Sequence, residues 1–169
     1  MLAIDADDTI RQSISGDSII KDPYDQQPIA GTIDLLRNIK KSGHSIYIVT
    51  NQGGRIEEGY KTLEKAIEEQ RFTLQLFSTV TAVCMTESRD SSFFWYINRD
   101  GEQKVQGRLG IKAQKPSPGM LLYLETRFNR SKKAHWVIGK SDADQGAAES
   151  AGWNYLHIKE ALKIGHLPD

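Results

Sequence analysis

The chain begins with Met1-Leu2-Ala3-Ile4-Asp5-Ala6-Asp7-Asp8-Thr9, in which an apolar run passes directly into three carboxylates and a hydroxyl. This stretch predicts a short buried strand that delivers acids to the carboxyl edge of a sheet, where open α/β folds bind ligands. Asp5 and Asp7 repel each other unless a cation lies nearby or one of them stays protonated. Such a pair is suited to holding Mg²⁺ beside a nucleophile. The alternative is a solvated acidic turn in which Asp8-Thr9 caps a helix.

The composition is typical of a single soluble domain with a sizeable core: 169 residues, 38% hydrophobic and 26% charged. Lys+Arg and Asp+Glu both number 22, and this balance argues against broad electrostatic capture of nucleic acid or membrane. The single Cys84 cannot form an internal disulfide or supply a cysteine-rich zinc cluster. Only four residues precede Asp5 and no apolar run approaches membrane length, so we expect a cytoplasmic protein without a signal peptide or membrane contact.

Strand and helix patterns alternate along most of the chain, which predicts an α/β fold: a three-layer, Rossmann-like parallel sheet with helices on both faces. After the first strand, further strands are predicted at 45–49, 77–85, 134–138 and 153–158. Helices are predicted from Pro28 to a cap at Gly43, over 56–71, from Pro118 to near Asn129, up to Ala151 and over 159–164. The polar stretch 11–27 predicts a small hairpin between Thr9–Ile14 and Ser18–Lys21.

The alternation is interrupted between residues 86 and 113. This segment contains the aromatic run Phe93–Tyr96 and the hairpin signal Asp100-Gly101, so we predict an inserted hairpin or lid within a single domain spanning 1–169. The aromatic run has two readings, packing of the hairpin against the body or stacking on a base or imidazole.

Polar groups of complementary kinds follow four of the predicted strands. They are Asp5 and Asp7, Thr50 with the amides from Asn51 onward, Lys115, and Asp142 or Asp144. In a parallel sheet all of these strand ends lie at one edge. Acids for a metal, a hydroxyl and amides for phosphate oxygens, and a lysine as a point charge together form a phosphoryl-transfer set.

These stretches resemble the four ordered motifs of the haloacid dehalogenase superfamily of phosphotransferases. Asp5-Ala6-Asp7-Asp8-Thr9 looks like the first motif, Thr50-Asn51-Gln52 the second, Lys115 in Lys-Pro-Ser-Pro-Gly-Met the third, and Gly139 to Asp144 the fourth. The second and third are most similar to histidinol-phosphate phosphatases, heptose bisphosphate phosphatases and polynucleotide 3′-phosphatases. Neither run between motifs is long enough for a large helical cap, so we expect a minimal cap.

The resemblance implies a Mg²⁺-dependent phosphomonoester hydrolase in which Asp5 attacks phosphorus and forms an aspartyl-phosphate. It implies that Asp7 protonates the leaving oxygen and then activates water, and that Thr50, Asn51 and Lys115 bind phosphoryl oxygens. The pKa of Asp7 must be raised for the acid step. The closeness of Asp5 and Asp8 favours a raised pKa, whereas Mg²⁺ opposes it.

The fourth motif departs from the family pattern. It usually begins Gly-Asp and has a second acid four residues later, but Lys140 occupies the first position here and Asp144 the second. A lysine cannot ligate a metal. The resemblance therefore implies Mg²⁺ bound by the Asp5 carboxylate, the main-chain carbonyl of Asp7 and the carboxylate of Asp144, with Asp142 as the second choice for the last ligand, or else weak metal binding.

The segment before Lys115 lacks the Cys/His zinc loop common in related sugar and histidinol phosphatases, so we predict no structural zinc. The predicted substrate is a small phosphorylated metabolite. A polynucleotide 3′-phosphate is the alternative, since Lys104, Arg108 and Lys112 lie together in the insert. The alternative of another class is a phosphate-binding or regulatory domain without strong turnover, for which Lys140 is the one supporting feature.

Overall fold

The computed structural model of the protein describes residues 1–128 and 133–168. Its strands are β1 (Leu2–Ile4), β2 (Arg11–Gln12), β3 (Gln27–Pro28), β4 (Ile46–Asn51), β5 (Ala82–Thr86), β6 (Phe93–Asn98), β7 (Gly101–Gln106), β8 (Trp136–Gly139) and β9 (Asn154–His157). Seven of them form one sheet in the order β7-β6-β5-β4-β1-β8-β9, and β2 and β3 pair separately. Neighbouring strands pair in parallel from β5 through β4, β1 and β8 to β9. The pairs β5–β6 and β6–β7 are antiparallel.

The helices are α1 (Thr32–Lys41), α2 (Gly53–Glu57), α3 (Leu63–Leu76), α4 (Gly119–Phe128), α5 (Asp142–Ala151) and α6 (Ile158–Ile164). Alternate residues of β1 belong to different cores, because successive side chains of a strand point to opposite faces. Leu2 and Ile4 pack with apolar residues of α1, α3 and α6, whereas Ala3 packs with those of α4 and α5. The predicted three-layer α/β class, with helices on both faces of a mostly parallel sheet, is confirmed.

Several predicted boundaries change because of contacts that periodicity does not reveal. The first helix begins at Thr32 instead of Pro28, since Pro28 belongs to β3. The N-terminal hairpin pairs Arg11–Gln12 with Gln27–Pro28, so the predicted partner strand within 18–21 is wrong. The predicted end of the fourth helix near Asn129 lies outside the described residues.

The predicted helix over 56–71 is two helices, α2 and α3. Its apolar face is expected to contain Tyr60, Leu63 and Ile67; Leu63 and Ile67 pack against the core, and only the expectation for Tyr60 is wrong. Tyr60 lies between the two helices and is exposed. The residues of α3 that are buried include three polar ones: Ala66, Glu69, Gln70, Thr73 and Leu74. The inward face of α3 is therefore partly polar and includes the carboxylate of Glu69.

The segment 86–113 forms a hairpin that extends the main sheet beside β5. Phe94 and Tyr96 are buried, and Tyr96 stacks on Phe128 with ring centroids 5.5 Å apart. Phe93, on the opposite side of the strand, is exposed. Packing therefore accounts for the buried half of the aromatic run. No helix within the described ranges is both long and apolar enough to span a membrane, and the cytoplasmic location stays a prediction.

Candidate active site

The carboxyl ends of the parallel strands meet around a pocket of about 170 Å³. Ten residues line it: Asp5, Asp7, Asp8, Thr50, Asn51, Arg55, Lys115, Lys140, Ser141 and Ala143. At about 30 Å³ per water molecule in the liquid, this volume has room for a phosphoryl group. The structure thus brings together every residue predicted to be catalytic or phosphate-binding.

Asp5 follows β1, and both of its carboxylate oxygens are oriented by neighbours. Lys115 Nζ donates to Oδ1 at 2.8 Å and the Thr9 hydroxyl donates to Oδ2 at 2.8 Å. Burial raises the pKa of Asp5, although the ammonium of Lys115 acts in the opposite direction. The carboxylate is therefore held in one orientation at the floor of the pocket.

Lys115 is itself fixed by three acceptors and by its own backbone. Its Nζ also donates to the Val49 carbonyl at 2.8 Å and to Asp144 Oδ1 at 2.6 Å. The Asn51 side chain accepts from the Lys115 amide at 3.0 Å and donates to its carbonyl at 2.9 Å. The side chain of Asn51 thus joins the second motif to the third, so a contact with phosphate would come from its main chain.

Asp144 lies behind Lys115 and is almost fully buried. Its Oδ2 accepts from the Ser141 hydroxyl at 2.7 Å and from the amides of Lys140 and Ser141, each at 3.1 Å, which caps the start of α5. Burial acts to raise the pKa of Asp144, but the ammonium of Lys115 and the hydrogen bonds from Ser141 together lower it. Any Cβ at Gly139 would lie 2.4 Å from this carboxylate, so the close approach requires glycine there.

Asp7 belongs to a closed ring of hydrogen bonds, which we call the buried ring. It consists of Asp7, Arg11, Glu69, Lys61 and Gln52. Arg11 donates two hydrogen bonds to Asp7 Oδ1, from Nε at 3.0 Å and from a terminal nitrogen at 2.8 Å. Gln52 donates to Asp7 Oδ2 at 2.9 Å. Gln52 also donates to the Thr50 hydroxyl at 2.9 Å, which connects the ring to the phosphate side of the pocket.

Arg55, from α2, makes a further ion pair with Asp7 from the pocket side. Burial works to raise the pKa of Asp7, but the guanidinium groups of Arg11 and Arg55 outweigh it and hold the pKa well below its ordinary value. The pKa shift of Asp7 is therefore opposite to the one that the acid step requires. The sequence argument counted the neighbouring acids Asp5 and Asp8 and missed these two cations.

Lys140 extends over the rim of the same pocket. Its Nζ lies 2.9 Å from Asp8 Oδ2, and both side chains are substantially exposed. Asp8 has a left-handed backbone (φ 53°), a conformation that Asp tolerates better than most residues. The acidic turn is thus closed by a cation supplied by the fourth motif.

The described side chains do not form a magnesium site of three acids, and the ligand predicted from Asp7 is its main-chain carbonyl. Within 1–128 and 133–168, no group of three or more His, Cys, Asp or Glu side chains could hold a metal ion. Asp7 and Asp144 already accept hydrogen bonds on both oxygens, and Lys140 adds a positive charge at the rim. The ligand set Asp5, Asp7 and Asp144, with Asp142 as its substitute, stays a prediction, as does the expectation of no structural zinc.

Sequence reasoning missed Arg11, Arg55, Lys61 and Glu69. Arg11 lies four residues after Asp7, Lys61 lies in the loop before α3, and Glu69 lies in α3. The sequence identified Gln52 only as the third residue of the second motif and assigned it no role. The spacing between Asp7 and Arg11 was the one available signal.

Comparison with solved structures supports this arrangement at the level of the fold. The D,D-heptose 1,7-bisphosphate phosphatase from B. bronchiseptica, complexed with magnesium and phosphate, aligns with a TM-score of 0.62 at 18% identity, over 99% of this chain and 88% of that chain. A putative HAD-like phosphatase from Mesorhizobium loti aligns with a TM-score of 0.64 at 23% identity, over 89% and 68%.

Sequence comparison leads to the same class. The D-glycero-beta-D-manno-heptose-1,7-bisphosphate 7-phosphatase of Pseudomonas putida is 26% identical over 160 residues, which cover 94% of this chain and 82% of the relative. The Yersinia pestis enzyme of the same name is 30% identical over 125 residues, covering 74% and 63%. The chain is a phosphatase of the haloacid dehalogenase superfamily, and the reaction of this class is the hydrolysis of phosphomonoesters. Within the superfamily it belongs to the family described as polynucleotide kinase 3 phosphatase, whose profile matches residues 1–156.

Proposed function

We propose that the protein hydrolyses a small phosphorylated metabolite through an aspartyl-phosphate on Asp5. The observation that carries this proposal is the Asp5 carboxylate, which is fixed between Lys115 and Thr9 at the floor of a phosphate-sized pocket. An oriented carboxylate beside a buried ammonium is placed to attack phosphorus while the ammonium balances negative charge on the phosphoryl oxygens.

In the first step an Asp5 oxygen forms a bond to phosphorus as the bond from phosphorus to the leaving oxygen breaks. Lys115, the Thr50 hydroxyl and the Asn51 amide bind the phosphoryl oxygens during this transfer. In the second step water attacks phosphorus, the bond to Asp5 breaks, and Asp7 accepts the proton from water. Arg11 and Arg55 keep Asp7 ionised, as a base must be, and the same two cations weaken it as a proton acceptor.

The acid step needs a proton on Asp7, and Arg55 provides a route to it. Arg55 lines the pocket and is partly exposed, so an incoming phosphate dianion competes with Asp7 for its guanidinium. Loss of this cation from Asp7 raises the pKa of its carboxyl group. Substrate binding thus prepares Asp7 to protonate the leaving oxygen.

Magnesium, the cofactor predicted from the sequence, carries no step here, because Lys140 places a positive charge at the rim and the described side chains include no three-acid site. Dependence on Mg²⁺ stays a prediction. It is tested with the experiment of the next subsection.

Two features bear on the substrate. The relatives named for heptose bisphosphate favour a sugar phosphate. The family description favours the second candidate, a polynucleotide 3′-phosphate. Against a nucleic-acid surface, Lys104 pairs with Glu87 and Lys112 pairs with Asp90, so these two basic residues of the insert are neutralised.

The test compares phosphate release from a heptose bisphosphate, histidinol phosphate and a 3′-phosphorylated oligonucleotide, with p-nitrophenyl phosphate as the generic substrate. We expect the highest kcat/KM on the sugar phosphate. A higher kcat/KM on the oligonucleotide would select the second candidate. No phosphate release from any of them would favour a binding or regulatory domain.

A further inference from the structure

The charges joined by ion pairs at the pocket are balanced by the chain itself. Seven ion pairs form three groups: those of the buried ring and Arg55, those of Lys115, and the pair at the rim. Five carboxylates take part: Asp5, Asp7, Asp8, Glu69 and Asp144. Five cations face them: Arg11, Arg55, Lys61, Lys115 and Lys140. The cluster therefore reaches neutrality with no bound ion.

Two cations of this cluster line the pocket and can change partners, Arg55 and Lys140, and Lys140 is the more exposed of the two. Lys115 is buried and contacts three acceptors, and Lys61 and Arg11 are enclosed in the buried ring. The side chain of Lys140 is 38% exposed and its contact, Asp8, is 60% exposed. Both line the pocket with Asp5, so the ammonium can exchange Asp8 for a phosphoryl oxygen by rotating its flexible stem.

The size of the charge at this position is informative. An aspartate in place of Lys140 would leave six carboxylates against four cations, a deficit of two charges. One divalent cation makes up a deficit of two. The lysine therefore removes both the ligand that a magnesium ion would use and the negative charge that would attract it.

We propose that the Lys140 ammonium supplies at this pocket the positive charge that a divalent cation would otherwise supply, so that the phosphatase acts without added metal. The proposal rests on the phosphomonoester hydrolysis proposed above. Lys140 binds a non-bridging oxygen of the phosphoryl group and stabilises the charge that develops there during transfer from the leaving group to Asp5. Asp8 holds the ammonium at the rim until the substrate arrives.

The test starts from protein stripped of metal with a chelator. Hydrolysis of p-nitrophenyl phosphate and binding of Mg²⁺ by titration calorimetry are measured for the wild type, K140M and K140D, with K163M on the exposed side of α6 as control. We expect the wild type and K163M to keep their rate within about twofold when Mg²⁺ is added, and to show no heat of Mg²⁺ binding. K140M loses about a hundredfold in rate, the effect of removing one charge-stabilising group.

K140D is the decisive variant. We expect it to bind one Mg²⁺ in calorimetry and to recover activity only when the ion is present. A wild type that is inactive after chelation, binds Mg²⁺ and regains its rate would overturn the role of Lys140 and leave the proposed hydrolysis intact. An unchanged rate in K140M would overturn it as well. A wild type inactive both with and without metal would overturn the proposed function and this inference together.

Discussion

Ion pairs in two regions of the molecule join the same kinds of side chain in opposite surroundings. In the buried ring, Arg11 and Glu69 are 0% and 1% exposed, whereas Arg71 and Glu102, beside the hairpin, are 52% and 28% exposed. Water and salt screen the exposed pair, so it contributes little to stability. Breaking the buried pair leaves an uncompensated charge without water, which is costly. We therefore expect the buried ion pair to be needed for stability and the exposed ion pair to contribute little to it.

The largest effect we expect comes from breaking the buried ring. Glu69→Ala should lower the free energy of unfolding by about 3–5 kcal/mol, because it leaves Arg11 and Lys61 without their shared carboxylate. Glu102→Ala is the matched control and should cost less than about 1 kcal/mol. Chemical denaturation measures both values. Equal losses in the two variants would show that burial does not distinguish the pairs.

Lys115→Ala tests the buried ammonium on the catalytic side. It removes the donor that orients Asp5 and neutralises phosphate, and we expect the hydrolysis rate to fall by about a hundredfold or more. This corresponds to roughly 2.7 kcal/mol of transition-state stabilisation. Lys112→Ala, on an exposed pair, should leave the rate within about twofold. Steady-state kinetics with an aryl phosphate compare the two, and an unchanged rate in Lys115→Ala would remove this lysine from the site.

Arg55→Met addresses the one cation that joins the buried ring from the pocket. Loss of the guanidinium should raise the pKa of Asp7. At a pH above the pKa, each increase of the pKa by one raises the protonated fraction of Asp7 about tenfold. Alkyl phosphates, whose leaving groups need a proton, should then improve relative to p-nitrophenyl phosphate by up to about tenfold. The measured quantity is the ratio of the two kcat/KM values, which cancels weaker phosphate binding. A ratio that stays constant would contradict the role given to Arg55.

The smallest expected effect is a shift in the acid limb of the pH profile. The nucleophile must be ionised, and burial raises the pKa of Asp5 above its ordinary value of 3.8. The rate should therefore fall as the pH falls, with a midpoint above 3.8, while the ionised form of Asp7 persists to lower pH. A pH series of kcat/KM measures the midpoint. A value at or below 3.8 would show that Lys115 outweighs burial at Asp5.

The parallel sheet and its catalytic edge were predictable because they depend on local patterns. A run such as Leu2–Ile4 followed by Asp5 specifies both the strand and the place where it ends, and the same holds for Ile46–Asn51 with its terminal Thr50. Parallel strands then bring these ends together without further information. This is why Asp5, Asp7, Thr50 and Asn51 were predictable, whereas Lys115 follows the hairpin and was predictable from the third motif.

The buried ring was not predictable for the opposite reason. Its members come from a turn, the end of β4, the loop before α3 and the middle of α3, and nothing local marks Glu69 as inward-facing. Helical periodicity favoured Tyr60, Leu63 and Ile67 as the buried face, since it counts apolar residues only. The direction of the pKa shift at Asp7 depends likewise on cations that the sequence argument did not include. Electrostatic environment depends on long-range neighbours, whereas strand ends depend on short stretches.

The most direct test of the central claim is the rate of aryl phosphate hydrolysis by Asp5→Asn, measured beside Asp34→Asn on the exposed surface of α1. The substituted amide keeps the shape of the side chain but cannot attack phosphorus, so the rate should fall by at least about a thousandfold. Asp34→Asn should match the wild type. Substantial turnover by Asp5→Asn would contradict Asp5 as the nucleophile held by Lys115 and Thr9.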